Sequence, residues 1–149
     1  MPIPRSILDR EGALLVIAAR TGQEMASKRL ERLGLTVRVC GVLNLLRDEG
    51  PKSQQEIGEL LNIDRTTMVE IVDELEKQGI VRRERSQRDR RTNAVTLTAS
   101  GKVKQKRAAE AFDAAADEFF SPLGAAERQR LASLLRRLIL RGDATGPAR

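Results

Sequence analysis

The sequence has no histidine, no tryptophan and no tyrosine, one cysteine (Cys40) and three phenylalanines in 149 residues. Without imidazole there is no base for a hydrolytic triad, no His-ligated zinc and no imidazole pH switch. One cysteine excludes an intrachain disulfide and every Cys-pair zinc motif, which suits a reducing compartment. A Gly-rich phosphate loop, a metal-ligand cluster and a nucleophile beside a base are missing too, so the chain reads as no enzyme, with no cofactor and no metal site. The longest apolar run, Ala13 to Ala19, is seven residues, far short of the roughly 20 a membrane span needs. It follows Asp9 and Glu11, which makes it a poor secretory signal. The expectation is a soluble, cytoplasmic protein with no membrane partner and enough chain for one cored domain.

What the sequence does have is localised positive charge. The net charge is +6. Between Arg82 and Arg107 stand ten basic residues and only two acids, Glu84 and Asp89, while the rest of the chain sums to −2. One segment therefore carries the whole excess. Such a run is either a solvated face or a seat for a polyanion, and its neighbours decide between them.

Apolar spacing is helical nearly everywhere. Leu14, Ile17, Ala18, Met25 and Leu33 form a stripe on a long, partly interrupted helix from Ile7 to Leu33, with Gly34 as its stop. Thr36 can cap a second helix that buries Val39, Cys40, Leu43 and Leu46 and ends at Gly50-Pro51. Ser53-Gln54-Gln55-Glu56 has the capping-box pattern and opens a short amphipathic helix with Ile57, Leu60 and Leu61. Asn62-Ile63-Asp64 breaks the period, and Asp64 caps a helix from Arg65 to about Gln78 that buries Met68, Ile71, Val72 and Leu75 and closes on Gly79. Two short helices joined by a three-residue turn make a helix-turn-helix.

Beyond Gly79 the period changes to that of strands. Ile80 to Arg85 and Ala94 to Thr98 read as a two-stranded hairpin, with Val95 and Leu97 on one face. The eight residues between them, Ser86 to Asn93, are all polar, so the hairpin is a wing with a charged tip. Thr98 or Ser100 then caps a long helix with Ala109, Phe112, Ala116 and Phe119 on its buried side. Ser121-Pro122 interrupts it, and a last helix from about Ala125 buries Leu131, Leu134, Leu135 and Leu138. The Arg-Gly-Asp at Arg141 to Asp143 is a chance tripeptide. The fold class is mostly α (α+β): a winged helix-turn-helix over 36–98, a helical dimerisation region formed by 1–35 and 99–141, and a flexible tail at 142–149.

A helix of this kind fits the B-DNA major groove, where base edges are read by polar side chains near its N-terminus. Arg65, Thr66 and Thr67 can bond phosphate or base, and the amides at the helix start attract phosphate. Ser53 and Gln54 start the preceding helix, and Glu70 lies one turn farther in, where a carboxylate repels phosphate unless it accepts a cytosine amino proton. Thr66 and Thr67 fit equally as ordinary first-turn polar residues. At the wing tip, Arg88, Arg90 and Arg91 can reach a minor groove, and Asp89 is placed to hold the Arg91 guanidinium in a fixed fork.

The stretch from Thr36 to Gly101 resembles the MarR family of bacterial winged helix-turn-helix regulators. Asp89-Arg90-Arg91 followed by Leu97-Thr98-Ala99-Ser100-Gly101 matches that family's wing signature, Asp-x-Arg and then Leu-Thr-x-x-Gly. The run Val69 to Val81, with Leu75-Glu76-Lys77-Gln78-Gly79-Ile80-Val81, looks like its recognition helix entering the first wing strand. The resemblance implies a sequence-specific transcriptional regulator, with repression as the expected mode and activation as the alternative, bound to double-stranded DNA and associated with the nucleoid when so bound. It further implies a homodimer whose first, fifth and sixth helices interlock, with two winged domains on a pseudo-palindromic operator. Apolar stripes on both flanks of the winged module agree, since two-fold pairing would bury them and set recognition helices about 34 Å apart. Packing on their own winged domain is the alternative.

In the resemblance, small anionic or phenolic ligands bind between the dimer helices and the winged domain and release the DNA. Here the lining would be Leu14, Ile17, Ala18, Cys40, Leu43 and Phe112, which fits a small apolar or anionic effector and fits plain core packing as well. With no tyrosine to activate it, Cys40 reads as core packing ahead of a redox switch. The competing function is a non-specific architectural or protein-adaptor winged helix, which the acids Glu70, Asp73 and Glu74 on the recognition helix keep open.

Overall fold

The computed structural model describes residues 3–140. The tail expected at 142–149, and residue 141 before it, lie outside the described residues. In chain order the elements are α1 (Arg5–Leu8), α2 (Glu11–Glu31), α3 (Val37–Glu49), α4 (Gln54–Leu61), α5 (Arg65–Lys77), β1 (Val81–Arg85), β2 (Asn93–Leu97), α6 (Ala99–Phe119) and α7 (Ala125–Leu140). β1 and β2 pair antiparallel, from Val81 opposite Leu97 to Arg85 opposite Asn93. This is the winged helix-turn-helix read from the sequence.

The helix starts are set by side-chain caps. Thr36, Ser53, Asp64 and Thr98 each accept the amide of the residue three positions on, and Ser53 with Glu56 forms the full reciprocal box. Asn62 takes left-handed backbone at φ 52° and turns the chain between α4 and α5. Gly79, at φ 70°, lets Ile80 return its amide to the Leu75 carbonyl at 2.9 Å, closing α5 and launching β1. Ile80 is thus a junction and not the first strand residue, and Thr98 is the cap of α6 and not the last.

A single core forms where α3, α4, α5, the wing root and the inner halves of α2 and α6 meet: Leu30, Leu43, Ile57, Met68, Val72, Val81, Val95 and Ala108 are all fully buried. Lys52 adds a one-residue bridge on the free edge of β2, exchanging both backbone bonds with Val95 at 3.3 and 2.8 Å. Gly101 lies so close beneath the wing that a Cβ there would stand 1.9 Å from the Ile80 carbonyl oxygen.

Several expected faces rotate. On α6 the buried residues are Gly101, Gln105, Ala108 and Ala115, whereas Ala109, Phe112, Ala116 and Phe119 are half-buried or exposed. The close approach of Gly101 fixes the azimuth of α6, and Gln105 is held inside by a 2.8 Å bond from its amide to Asn44 Oδ1. The N-terminal stripe breaks at Asp9 and Arg10, and only Ala26 and Leu30 of α2 are buried, since the first turns of α2 project past the core. On α4, Leu60 is exposed and Gly58 is buried instead, because the Ile63 carbonyl of the turn folds onto Gly58. No residue of α7 is buried: Leu131 and Leu135 are half-buried and Leu134 and Leu138 exposed, so the described residues leave the expected apolar face of α7 largely uncovered. The helix is tied down by Arg128, which pairs with Asp117 at 2.9 Å and lies 5.4 Å above the Phe120 ring.

Candidate nucleic-acid interface

Two edges of the winged domain converge on one open groove of about 940 Å³, bordered by Ser53, Gln54, Arg65, Val69, Thr92 and Asn93. Its floor is the helix-turn-helix and its wall is the tip end of the wing, where β2 begins. At the start of α5, Asp64 accepts from Thr67 twice, from the amide at 2.9 Å and from the hydroxyl at 2.7 Å. Those two bonds hold the Asp64 carboxyl below its ordinary pKa. They also commit the Thr67 proton, so Thr67 has none to donate to phosphate or base. Arg65, Thr66 and Glu70 stay exposed on the outer face.

Ser53 is held as a helix cap, with its hydroxyl as acceptor. Its hydroxyl accepts from the Glu56 amide at 3.2 Å and its own amide donates to Glu56 Oε2 at 2.8 Å, which lowers the Glu56 pKa. The oxygen of Gln54 accepts from Arg83 Nε at 2.8 Å, leaving its amide NH2 toward the groove.

The wing tip is organised by short-range bonds to its own backbone. Ser86 Oγ accepts the amides of Arg88 and Asp89 at 3.2 and 3.3 Å, and the Ser86 amide donates to the Thr92 carbonyl at 2.9 Å. Asp89 Oδ1 accepts the backbone amide of Arg91 at 2.9 Å. The fork expected between Asp89 and the Arg91 guanidinium is therefore absent: a carboxylate two residues upstream meets the nearer main-chain donor and makes an Asx turn. Asp89 shapes the loop and leaves the Arg91 head free. Among the described residues Arg65, Arg90 and Arg91 have no carboxylate within 4.0 Å, and highly exposed Arg88 comes only to 3.8 Å of Glu56.

Arg83 is the residue that sequence reasoning missed. In the sequence it belongs to the cationic run, yet its guanidinium faces inward, bonding Gln54, Glu76 and, at 2.5 Å, Asp73. Its backbone amide donates to Glu76 Oε1 at 3.0 Å. Amide and guanidinium together lower the Glu76 pKa. The signal in the sequence is the spacing of Asp73 and Glu76, three apart on one helical face and facing an alternate residue of the following strand.

The six residues expected to line a ligand pocket divide into two groups. Cys40 and Leu43 are core, and burial pushes the Cys40 thiol pKa up. Leu14 at 41%, Phe112 at 39% and also Ala18 are exposed, while Ile17 is half-buried. The exposed members sit on helix faces that the described residues leave uncovered. Among the described residues no group of three or more His, Cys, Asp or Glu side chains is arranged to hold a metal ion, and no helix is long and apolar enough to cross a membrane.

A family model described as MarR family matches residues 33–92. The chain is 31% identical over 134 residues to a putative transcriptional regulatory protein for the hcr operon of Thauera aromatica, covering 87% of this chain and 80% of that protein. The chain belongs to the MarR family. It is a DNA-binding transcriptional regulator. Solved MarR relatives share the whole architecture. A MarR family protein of Mycobacterium tuberculosis in complex with p-aminosalicylic acid is 27% identical, with TM-score 0.71 over 87% of this chain and 98% of that one. CouR from Rhodococcus jostii bound to p-coumaroyl-CoA is 26% identical, with TM-score 0.77 over 89% and 93%.

Proposed function

We propose that this MarR family chain is a homodimeric repressor that reads a pseudo-palindromic operator in the cytoplasm and performs no chemistry of its own. Arg90 and Arg91 enter the minor groove, Arg65 and Thr66 meet the major groove, and Thr67, Ser53 and Asp89 support them by fixing helix starts and loop shape. The observation that carries this reading is the contrast in pairing along the basic run. On the wing, Arg83 is drawn in by two carboxylates of α5 and Arg82 pairs with exposed Glu84, while Arg85, Arg90 and Arg91, like Arg65 on α5, are exposed and unpaired among the described residues. An unpaired guanidinium on a narrow ribbon is the donor that a phosphate-lined furrow selects.

The dimer follows from uncovered apolar surface. Val16 is 68% exposed on α2, and Leu138 and Ile139 are 61% and 74% exposed on α7. Monomers rarely leave so many large apolar side chains of neighbouring helix faces in water unless a partner covers them. Covering this surface with a second copy's equivalent helices would also enclose Leu14, Ala18 and Phe112, giving an apolar chamber for an effector. The relatives' ligands, p-aminosalicylic acid and p-coumaroyl-CoA, point to an aromatic acid or its thioester as the class. Without Tyr, Trp or His this chain would hold such a ring by apolar contact, with the Phe112 ring as the one aromatic wall.

The test is binding to an operator selected from fragmented genomic DNA. Binding should weaken with salt, and Arg91→Ala should reduce the log–log slope by about 0.9, one phosphate's worth. Thr66→Ala should narrow the margin over random DNA, which for a specific regulator is at least about a thousandfold. Parent-like behaviour of both variants would overturn the assignment, and no preference over random DNA would favour the architectural alternative.

A further inference from the structure

The recognition helix carries acids that a DNA-reading helix should not present, and the structure has an answer to them. α5 holds Glu70, Asp73, Glu74 and Glu76 in its 13 residues. Of these, Asp73 and Glu76 are both engaged by Arg83, a side chain from β1 that also reaches Gln54 of α4. Arg83 is only 23% exposed, whereas Arg82 beside it is 58% exposed and Arg88 is 84% exposed. Its amide binds Glu76 as well, so strand and helix are joined by main chain and side chain at once. One planar guanidinium spans three elements: the helix before the turn, the recognition helix and the wing.

We propose that Arg83 makes no DNA contact and is a positioning residue that locks the wing's first strand to the recognition helix while screening Asp73 and Glu76 from phosphate. The proposal rests on the DNA-reading face assigned above. Its chemistry is that of a fork which satisfies two carboxylates and an amide oxygen, a geometry lysine's single ammonium cannot reproduce. A free cation in this place would add one neutralised phosphate. A committed one instead removes repulsion and fixes the angle between the wing and α5.

A mutant cycle read by operator-binding anisotropy across a salt series separates these roles. The variants are Arg83→Gln, Asp73→Asn with Glu76→Gln, and the triple combination, with Arg91→Ala as the direct-contact control. In the parent background Arg83→Gln should weaken binding about tenfold, as loss of a charge-assisted network implies, with no loss of salt slope. In the Asp73→Asn, Glu76→Gln background the same change should cost less than about twofold, because the acids it screened are gone. An equal cost in both backgrounds, with a slope smaller by about 0.9, would make Arg83 a phosphate contact and overturn the proposal. Arg83→Lys keeps the charge and the strand amide and serves if Arg83→Gln fails to fold. A several-fold loss with unchanged slope supports the clamp, and parent-like affinity rejects it. If Arg91→Ala also leaves binding and slope unchanged, the fault lies with the DNA-reading face itself and not with Arg83.

Discussion

Replacing Gly101 with alanine sets two effects of opposite sign against each other. Gly101 is the third residue of α6, where the intrinsic gain from Gly to Ala is about 1 kcal/mol. The new Cβ, however, would lie 1.9 Å from the Ile80 carbonyl oxygen and 3.0 Å from its carbon. Both are backbone atoms of the wing root, so no side chain can swing aside. Overpacking of this kind costs about 1–3 kcal/mol. Any outward shift of α6 also pulls the Gly101 amide from Thr98 Oγ1, a 3.0 Å cap worth about 1 kcal/mol. The net expectation is a loss of about 1–3 kcal/mol despite the better helix former. Gly22 in α2 is the matched control, since a Cβ there meets only the Phe119 ring at an ordinary 3.8 Å, and Gly22→Ala should stabilise by up to about 1 kcal/mol. Urea unfolding followed by far-UV circular dichroism, at one protein concentration for all three chains, measures both. Gly101→Ala as stable as the parent, with Gly22→Ala behaving as expected, would refute the close packing of α6 under the wing.

Ser53→Ala removes the capping box and should cost about 1 kcal/mol in the same assay. Glu56, Asp64 and Glu76 have folded pKa values below their unfolded ones, so their stabilisation is present above the ordinary carboxylate range and lost as pH falls through the folded values. Asp64→Asn, which can still cap, should therefore flatten the acid side of the stability profile, and an unchanged profile counts against the Asp64 contribution. In the proposed dimer, Leu138→Glu with Ile139→Glu should yield monomers by sedimentation velocity, and a persisting dimer rejects that surface. The buried Cys40 thiol, with its raised pKa, should react with a disulfide reagent far more slowly in the native protein than in urea. Peroxide should leave operator binding by the parent and by Cys40→Ser alike, and a loss confined to the parent would make Cys40 a sensor.

Local rules made the winged module legible. Each cap from Thr36 to Thr98 is a short-range contact between a hydroxyl or carboxylate and an amide three residues on, so it can be read from the sequence directly. Faces set by distant packing were less readable. The azimuth of α6 depends on Gly101 meeting a carbonyl 21 positions earlier and on the Gln105 bond to Asn44, and no helical period encodes either. The basic run hid a similar difference. Arg83 and Arg91 look alike in sequence, and only the placement of Asp73 and Glu76 across the wing separates a committed cation from a free one. Asp89 failed differently, because the main-chain amide of Arg91 outcompeted its guanidinium for the same carboxylate.

The one-residue bridge between Lys52 and Val95 has a mechanical consequence. It makes β2 the middle ply of a three-ply seam, bonded to β1 along one edge and to the α3–α4 connection along the other. Bending at the wing's base would tear backbone bonds on both sides of Val95, so the arm cannot swing there as a lever. Compliance is left to the Ser86–Thr92 crook, and adaptation to operators of differing furrow width is confined to those few residues.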